Sequence, residues 1–274
     1  MAYPHGKFID KSPLPPCMQI VTLTTDFGTK DYYAAVLKGN ILDQSESIQI
    51  VDISHSISTH DIVEGAFFIK NAYKHFPQGT IHVASIQSFN EDGKRIIVFE
   101  KDGYKFIGPD NGFFSLIFDD INMLDKYQIK MPDDQESMLY DVITHAVGYL
   151  AHDKPLNEIG PKLDDILVKI GLRPVVTKSN IRATIIHVDH FGNVIINLSK
   201  DVFHKERNGR KFFIYYKGRE QIDTICDHYS DVEIGDVVCF FNSAKLLEIA
   251  INMGNANEML SLRKNETIQI DFLD

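Results

Sequence analysis

The chain has 274 residues, of which 38 are acidic and 28 basic, giving a formal net charge of -10 with 44% hydrophobic content. That acidity speaks against nucleic acid as a partner, because phosphate-backbone binding rests on clustered Lys and Arg. The length allows two modest cores, and Cys17, Cys226 and Cys239 lack CxxC or zinc-type spacing, as expected of small buried hydrophobes in a reduced compartment.

Residues 1–17 are polar and proline-rich and read as an extended arm without a secretory pattern. No run approaches the roughly 18 apolar residues of a membrane span, so a cytoplasmic protein without membrane contact is expected. Strand-length runs at 18–24 (MQIVTLT), 48–53 (IQIVDI) and 80–86 (TIHVASI) alternate with helical stretches at 31–43 and 60–75. This rhythm predicts βαβ units and a mainly parallel sheet. A hairpin-like pair follows at 95–100 and 104–107 around Lys101-Asp102-Gly103. GPDNG at 108–112 then opens a short helix, and 138–152 reads as another amphipathic helix.

Beyond a loop-rich stretch from about 153, six short runs with no long helix between them predict a small barrel or sandwich. They lie at 182–188, 193–198, 211–216, 236–241, 246–251 and 266–271. The expected organisation is an arm at 1–17, an α/β domain at 18–178 and a β domain at 179–274.

Three loops carry groups suited to a ligand. In TTDFG (24–28), Asp26 stands where the first strand ends, the place where ligands bind parallel α/β sheets. Its carboxylate can accept two hydrogen bonds from a vicinal diol, and Gly28 permits close backbone approach. A helix cap explains the same residues. In DHFGN (189–193), Asp189 offers an acceptor for an ammonium, Asn193 offers both donor and acceptor to a base edge, and Phe191 offers a stacking ring. A plain turn on Gly192 is an equal explanation. GPDNG, with Asn111, reads most simply as a capped turn. His55 and His60, beside Asp52 and Asp61, match no strong metal-ligand spacing, and no metal is expected. The absence of GxSxG, GxxxxGK[ST] and GxGxxG excludes the serine hydrolase, P-loop and dinucleotide readings.

Six blocks taken in order resemble the S-adenosylmethionine hydroxide adenosyltransferase family, which also contains fluorinases and chlorinases. They are TTDFGTKDYYAAVLKGNI (24–41), IVDISHSISTHDIVEGAFFI (50–69), FPQGTIHVA (76–84), FIGPDNGFFS (106–115), VDHFGNVIINL (188–198) and FNSAKLLEIAINMGNA (241–256). The resemblance implies an N-terminal α/β domain and a C-terminal β-barrel-like domain. It also implies a homotrimer with the ligand between neighbouring subunits, and no cofactor. Family members split S-adenosylmethionine at C5′, with water or hydroxide giving adenosine and methionine. By the same resemblance Asp26 matches the ribose-diol carboxylate, Asp189 the acceptor for the methionine ammonium, and Asn193 the adenine-edge reader. Ser243 and Asn252 fall in the block lining the methionine carboxylate and the base. Phe27, His60, Asn111 and Phe191 belong to the same matched blocks and are expected to line the pocket.

The chain departs from the family at the water site. Where hydrolases carry an Asp, this sequence has Gln87; Lys94 or Arg95 stands near the family Arg, and Met138 falls on the family His. Gln87 also replaces the halogenase aromatic, His60 takes the place of the fluorinase tryptophan, and Ala244, followed by Lys245, falls on the methionine-carboxylate arginine. Hydrolysis of S-adenosylmethionine with Gln87, Lys94 and Arg95 around the water is the first expectation. A non-catalytic adenosine or S-adenosylmethionine binder is the alternative, as is a relative acting on another sulfonium or purine nucleoside.

Overall fold

The computed structural model describes residues 18–88, 95–130, 139–218 and 220–273. The chain divides into two units, Met1–Lys169 and Ile170–Asp274.

The first unit is built on strands β1 (Gln19–Thr25), β2 (Ile48–Ser54), β3 (Ile81–Ser85), β4 (Ile96–Lys101), β5 (Tyr104–Pro109), β6 (Lys126–Gln128) and β7 (Lys162–Leu163), with helices α1 (Tyr33–Leu42), α2 (Ile62–Ala72), α3 (Phe113–Ile117) and α4 (Leu139–Ala151). The sheet order is β2-β1-β3-β5-β4-β6-β7. The first four strands run parallel, and β4, β6 and β7 add antiparallel pairs. Parallel sheets are covered on both faces, and the burial follows. Val21, Leu23, Ile81, Val83, Ile96 and Val98 pack with Leu37 and Ile41 of α1 and with the Ile143, Ala146, Val147 and Leu150 stripe of α4. The alternate residues Ala84, Ile97, Phe99 and Phe106 pack with Ile62, Ala66 and Ile69 of α2 and Phe113 and Phe114 of α3. At Gly65 an added Cβ would stand 2.1 Å from Ile86 Cδ1, so any larger residue there forces the buried Ile86 side chain to move.

The second unit carries β8 (Val175–Val176), β9 (Asn180–Val188), β10 (Val194–Ser199), β11 (Lys211–Lys217), β12 (Glu220–Ile222), β13 (Val237–Phe241), β14 (Leu246–Ile251) and β15 (Thr267–Leu273). They form an antiparallel, barrel-like sheet in the order β12-β11-β15-β9-β10-β14-β13, with β8 paired to β9. Ile181, Ala183, Ile185, Val194, Ile196 and Leu198 alternate into its core. A short helix, α5 (Lys200–Arg207), was not anticipated from the strand pattern. Ser199 caps it by accepting from Val202 N at 3.3 Å, and Phe203 is its single buried side chain. A last turn, α6 (Ala256–Met259), follows β14. Among the described residues no helix is long and apolar enough to cross a membrane.

Candidate functional site

The register pairs Thr25 of β1 with Ser85 of β3, so both strands end at one level and Asp26 is the first residue beyond it. The Asp26 side chain is 8% exposed. Its Oδ2 accepts the backbone N–H of His60 at 2.9 Å and that of Gln87 at 3.2 Å. His60 Nδ1 stands 3.7 Å from the same oxygen. Both donors are non-glycine residues in the left-handed region, with φ of +64° at His60 and +52° at Gln87. Such backbone costs about 1–2 kcal/mol per residue and persists where surroundings impose it. Asp26 Oδ1 accepts no hydrogen bond among the described residues.

Around this carboxylate the TTDFG turn is held from below. Thr25 Oγ1 lies 2.8 Å from His55 Nδ1, Gly28 N donates to His55 O at 2.7 Å, and His55 Nε2 lies 3.1 Å from Asp52 Oδ1. Phe27 is half-buried, its ring edge-on to Tyr33 and Tyr140. His55 is thus buried in the support, while His60 is largely exposed over Asp26. Asp61 caps α2 by accepting from Glu64 N at 2.9 Å. Among the described residues no group of three or more His, Cys, Asp or Glu side chains is placed to hold a metal.

The GPDNG turn is tied to its surroundings by its own side chains. Asn111 is 2% exposed; its Nδ2 donates to Ile86 O at 3.0 Å and its Oδ1 accepts from Phe113 N at 3.1 Å. It ties the turn to the backbone just ahead of Gln87. Buried Asp110 accepts from Arg95 Nε at 2.7 Å and, through Oδ2, from Arg95 Nη2; its Oδ1 accepts from Leu167 N at 2.8 Å. Arg95, expected beside an attacking water, has its guanidinium on Asp110. Lys94 and Met138 lie outside the described residues.

In the second unit the DHFGN loop closes the β9–β10 hairpin. Asp189 Oδ1 accepts from the backbone of Phe191 at 2.9 Å and of Asn193 at 2.8 Å, and Asp189 Oδ2 accepts from Asn193 Nδ2 at 3.0 Å. Gly192 has φ +82°, and a Cβ there would stand 2.1 Å from Asn255 Oδ1. The turn explanation and the ligand explanation therefore fall on the same residues. Phe191 is 74% exposed, an unusual position for a large aromatic.

Asn193, 4% exposed, is the head of a polar relay. Its Nδ2 also donates to Tyr229 Oη at 3.1 Å, Tyr229 Oη donates to Glu248 Oε1 at 2.7 Å, and Asn242 Nδ2 donates to Glu248 Oε2 at 3.0 Å. Burial pushes the Glu248 carboxyl above its ordinary range, against the opposing pull of those two bonds. Burial, then the neighbouring Glu248, also raises the Tyr229 phenol. Ser243 is exposed in the β13–β14 turn, and Asn252, beyond the far end of β14, donates from Nδ2 to Val232 O at 2.9 Å. A six-residue strand spans about 20 Å, so Ser243 and Asn252 stand at opposite ends of β14. Sequence reading missed Tyr229 and Glu248. The available signal was a lone acid in the apolar strand LLEIAI, a residue type almost never fully buried without a partner.

A carboxylate just beyond the carboxyl ends of parallel strands, on a turn containing glycine, defines the first unit as a small-molecule-binding α/β fold. The chain belongs to the S-adenosylmethionine (SAM) hydroxide adenosyltransferase family: the model of its N-terminal domain matches residues 21–160 and that of its C-terminal domain residues 183–269. It is 31% identical to an (R)-S-adenosyl-L-methionine hydrolase from Methanocaldococcus jannaschii over 93% of this chain and 97% of that one. It is 25% identical to a fluorinase from Actinoplanes sp., over 92% of this chain and 97% of the fluorinase. Among solved structures, an uncharacterized conserved protein from Thermotoga maritima superimposes with a TM-score of 0.80 at 25% identity, covering 92% of this chain and all of the other.

Proposed function

We propose that this protein hydrolyses S-adenosylmethionine to adenosine and methionine. The observation that carries the reading is Asp26, whose Oδ2 is fixed by two backbone N–H groups while Oδ1 takes none from the described residues, at the carboxyl edge of a parallel sheet. A carboxylate oriented in this way suits a ribose diol. Membership of the family and the likeness to named SAM hydrolases support the choice of substrate.

In the proposed reaction a water oxygen attacks C5′ and the C5′–S bond breaks with its electrons going to sulfur. Methionine leaves as a neutral thioether and the water gives up one proton to solvent. The sulfonium already carries the positive charge that activates C5′, so the protein's task is alignment of a desolvated water more than proton transfer. Asp26 holds the ribose, Asn193 the adenine edge, Phe191 a ring face, and Asp189, through whatever acceptor capacity its loop bonds leave, the ammonium. Gln87 and His60, both anchored to Asp26 by their backbones, stand nearest the ribose end and are the groups assigned to the water. Arg95 is assigned to the support of the GPDNG turn and Asn111 to shaping it. Ser243 and Asn252 are assigned to opposite ends of the ligand. Assembly as a homotrimer with the ligand shared between subunits, in the cytoplasm, belongs to the same proposal, and light scattering measures the assembly.

The test is incubation of purified protein with S-adenosylmethionine and chromatography for adenosine against a protein-free control. A second reading, a nucleoside binder without turnover, is favoured by Gln87 in the family Asp position and by the engagement of Arg95 with Asp110. Adenosine binding by calorimetry without product separates it from the first.

A further inference from the structure

The relay behind Asn193 fixes more than the shape of a loop. A carboxylate only accepts hydrogen bonds. The Asn193 amide atom 3.0 Å from Asp189 Oδ2 is therefore the nitrogen. The next link is set in the same way: Glu248 is 4% exposed and receives the Tyr229 hydroxyl proton on Oε1. The Tyr229 oxygen is then left as the acceptor for the second Asn193 N–H. With both amide protons directed inward, Asn193 Oδ1 accepts nothing from the described residues and is the one atom of the carboxamide left for a ligand.

The other carboxylate oxygen works on a second segment. Glu248 Oε2 accepts from Asn242 Nδ2, which turns Asn242 Oδ1 towards the backbone N–H groups of Ala244 and Leu246, at 3.0 and 3.1 Å. The turn carrying Ser243 is thereby set by the same buried acid.

We propose that Glu248, acting through Tyr229, is a positioning residue that joins Asp189 in making Asn193 present a carbonyl, and not an amide N–H, to the purine, so that the site selects a ring bearing an exocyclic amine over one bearing an oxo group. This rests on the reading of Asn193 as the base-edge contact. A carbonyl accepts from an amine and opposes an oxo oxygen, so adenosine is bound and inosine rejected. A glutamine at 248 breaks the logic because it adds an N–H donor between two groups that already donate. Either Tyr229 or Asn242 must then lose its bond or reverse, and reversal of Asn242 conflicts with the turn N–H groups.

The experiment compares adenosine and inosine affinities by calorimetry for the full-length wild type, Glu248→Gln and Tyr229→Phe, with thermal unfolding of each. The wild type is expected to prefer adenosine by at least about tenfold, the scale of one lost hydrogen bond at a site built for it. With Asp189 still holding one Asn193 N–H, Glu248→Gln is expected to lower the ratio several-fold while remaining folded, and Tyr229→Phe to lower it in the same direction. An unchanged ratio in both variants, with adenosine still bound, overturns the role of Glu248 and leaves the nucleoside site standing. If wild type binds neither nucleoside, the reading of Asn193 falls and the inference falls with it. Should Glu248→Gln fail to fold, Tyr229→Phe decides: a fall in the ratio upholds the relay and an unchanged ratio overturns it.

Discussion

Gln87 and Asp26 are 61 residues apart in sequence, yet the backbone N–H of Gln87 donates to Asp26 Oδ2 at 3.2 Å, beside the His60 N–H at 2.9 Å. The relationship makes the Gln87 main chain, in a left-handed conformation, part of the machinery that orients the carboxylate. Asp26→Asn keeps the size of the side chain but removes the charge and sets an amide N–H against two donors or against the diol. Hydrogen bonds to charged groups are worth about 1.5–3 kcal/mol, so adenosine affinity is expected to fall by about 10- to 100-fold in calorimetry.

Arg95 is predicted to matter for folding. Its partner Asp110 has a side chain only 2% exposed, whereas the Arg95 side chain is 37% exposed, so the pair is neither fully buried nor freely solvated. Removing one member of a buried pair costs about 3–5 kcal/mol, and solvent reaching Arg95 discounts that figure. Arg95→Ala is expected to cost about 2 kcal/mol or more in urea unfolding, with Arg95→Lys recovering part of the loss. Full stability in Arg95→Ala together with lost turnover would return Arg95 to the water site.

Phe191 gives the opposite pattern. Being 74% exposed, it contributes little to the core, and a ring stacked on a base is worth about 1–3 kcal/mol. Phe191→Ala is expected to leave the unfolding midpoint within error while weakening adenosine binding by about tenfold. Unchanged affinity would remove Phe191 from the pocket.

His82 sets an acid limit on stability. It is fully buried in β3, its Nδ1 lies 2.7 Å from Thr22 Oγ1, and its ring stacks on Phe106 with Tyr73, Phe76 and Tyr104 around it. Burial lowers its pKa from 6.5 to about 4. The neutral form is the one the fold holds, so the unfolded chain takes up the proton first. The contribution is complete above the unfolded value and is lost as pH falls from about 6.5 towards 4. Urea unfolding is expected to show about 2 kcal/mol lost from this group between pH 7 and pH 5. His82→Phe is expected to flatten that limb, at a cost near neutrality from the unpartnered Thr22 hydroxyl. A slope unaltered in His82→Phe would assign the acid limb to other groups.

The sheet-forming runs were legible because their physics is local. Alternating strands and helices in the first unit, and period-2 burial such as that of Ile181, Ala183 and Ile185 in the second, follow from side-chain spacing alone. Asp26 and Asn193 were legible as types, a carboxylate and an amide in turns at strand ends. Their orientation was not, because it depends on residues far away in sequence: His60 and Gln87 for Asp26, Tyr229 and Glu248 for Asn193. The pairing of Arg95 with Asp110 was illegible for the same reason, since nothing in its neighbourhood announces it. The helix α5 was hidden by its length and its single buried residue, Phe203.

The most direct test of the proposed reaction follows the oxygen. Purified protein is incubated with S-adenosylmethionine in water enriched in heavy oxygen, and the products are resolved by mass spectrometry. Attack at C5′ predicts equal amounts of adenosine and methionine, with the label in the adenosine 5′-hydroxyl and none in methionine. No adenosine above the protein-free control, or adenosine without the label, would contradict it.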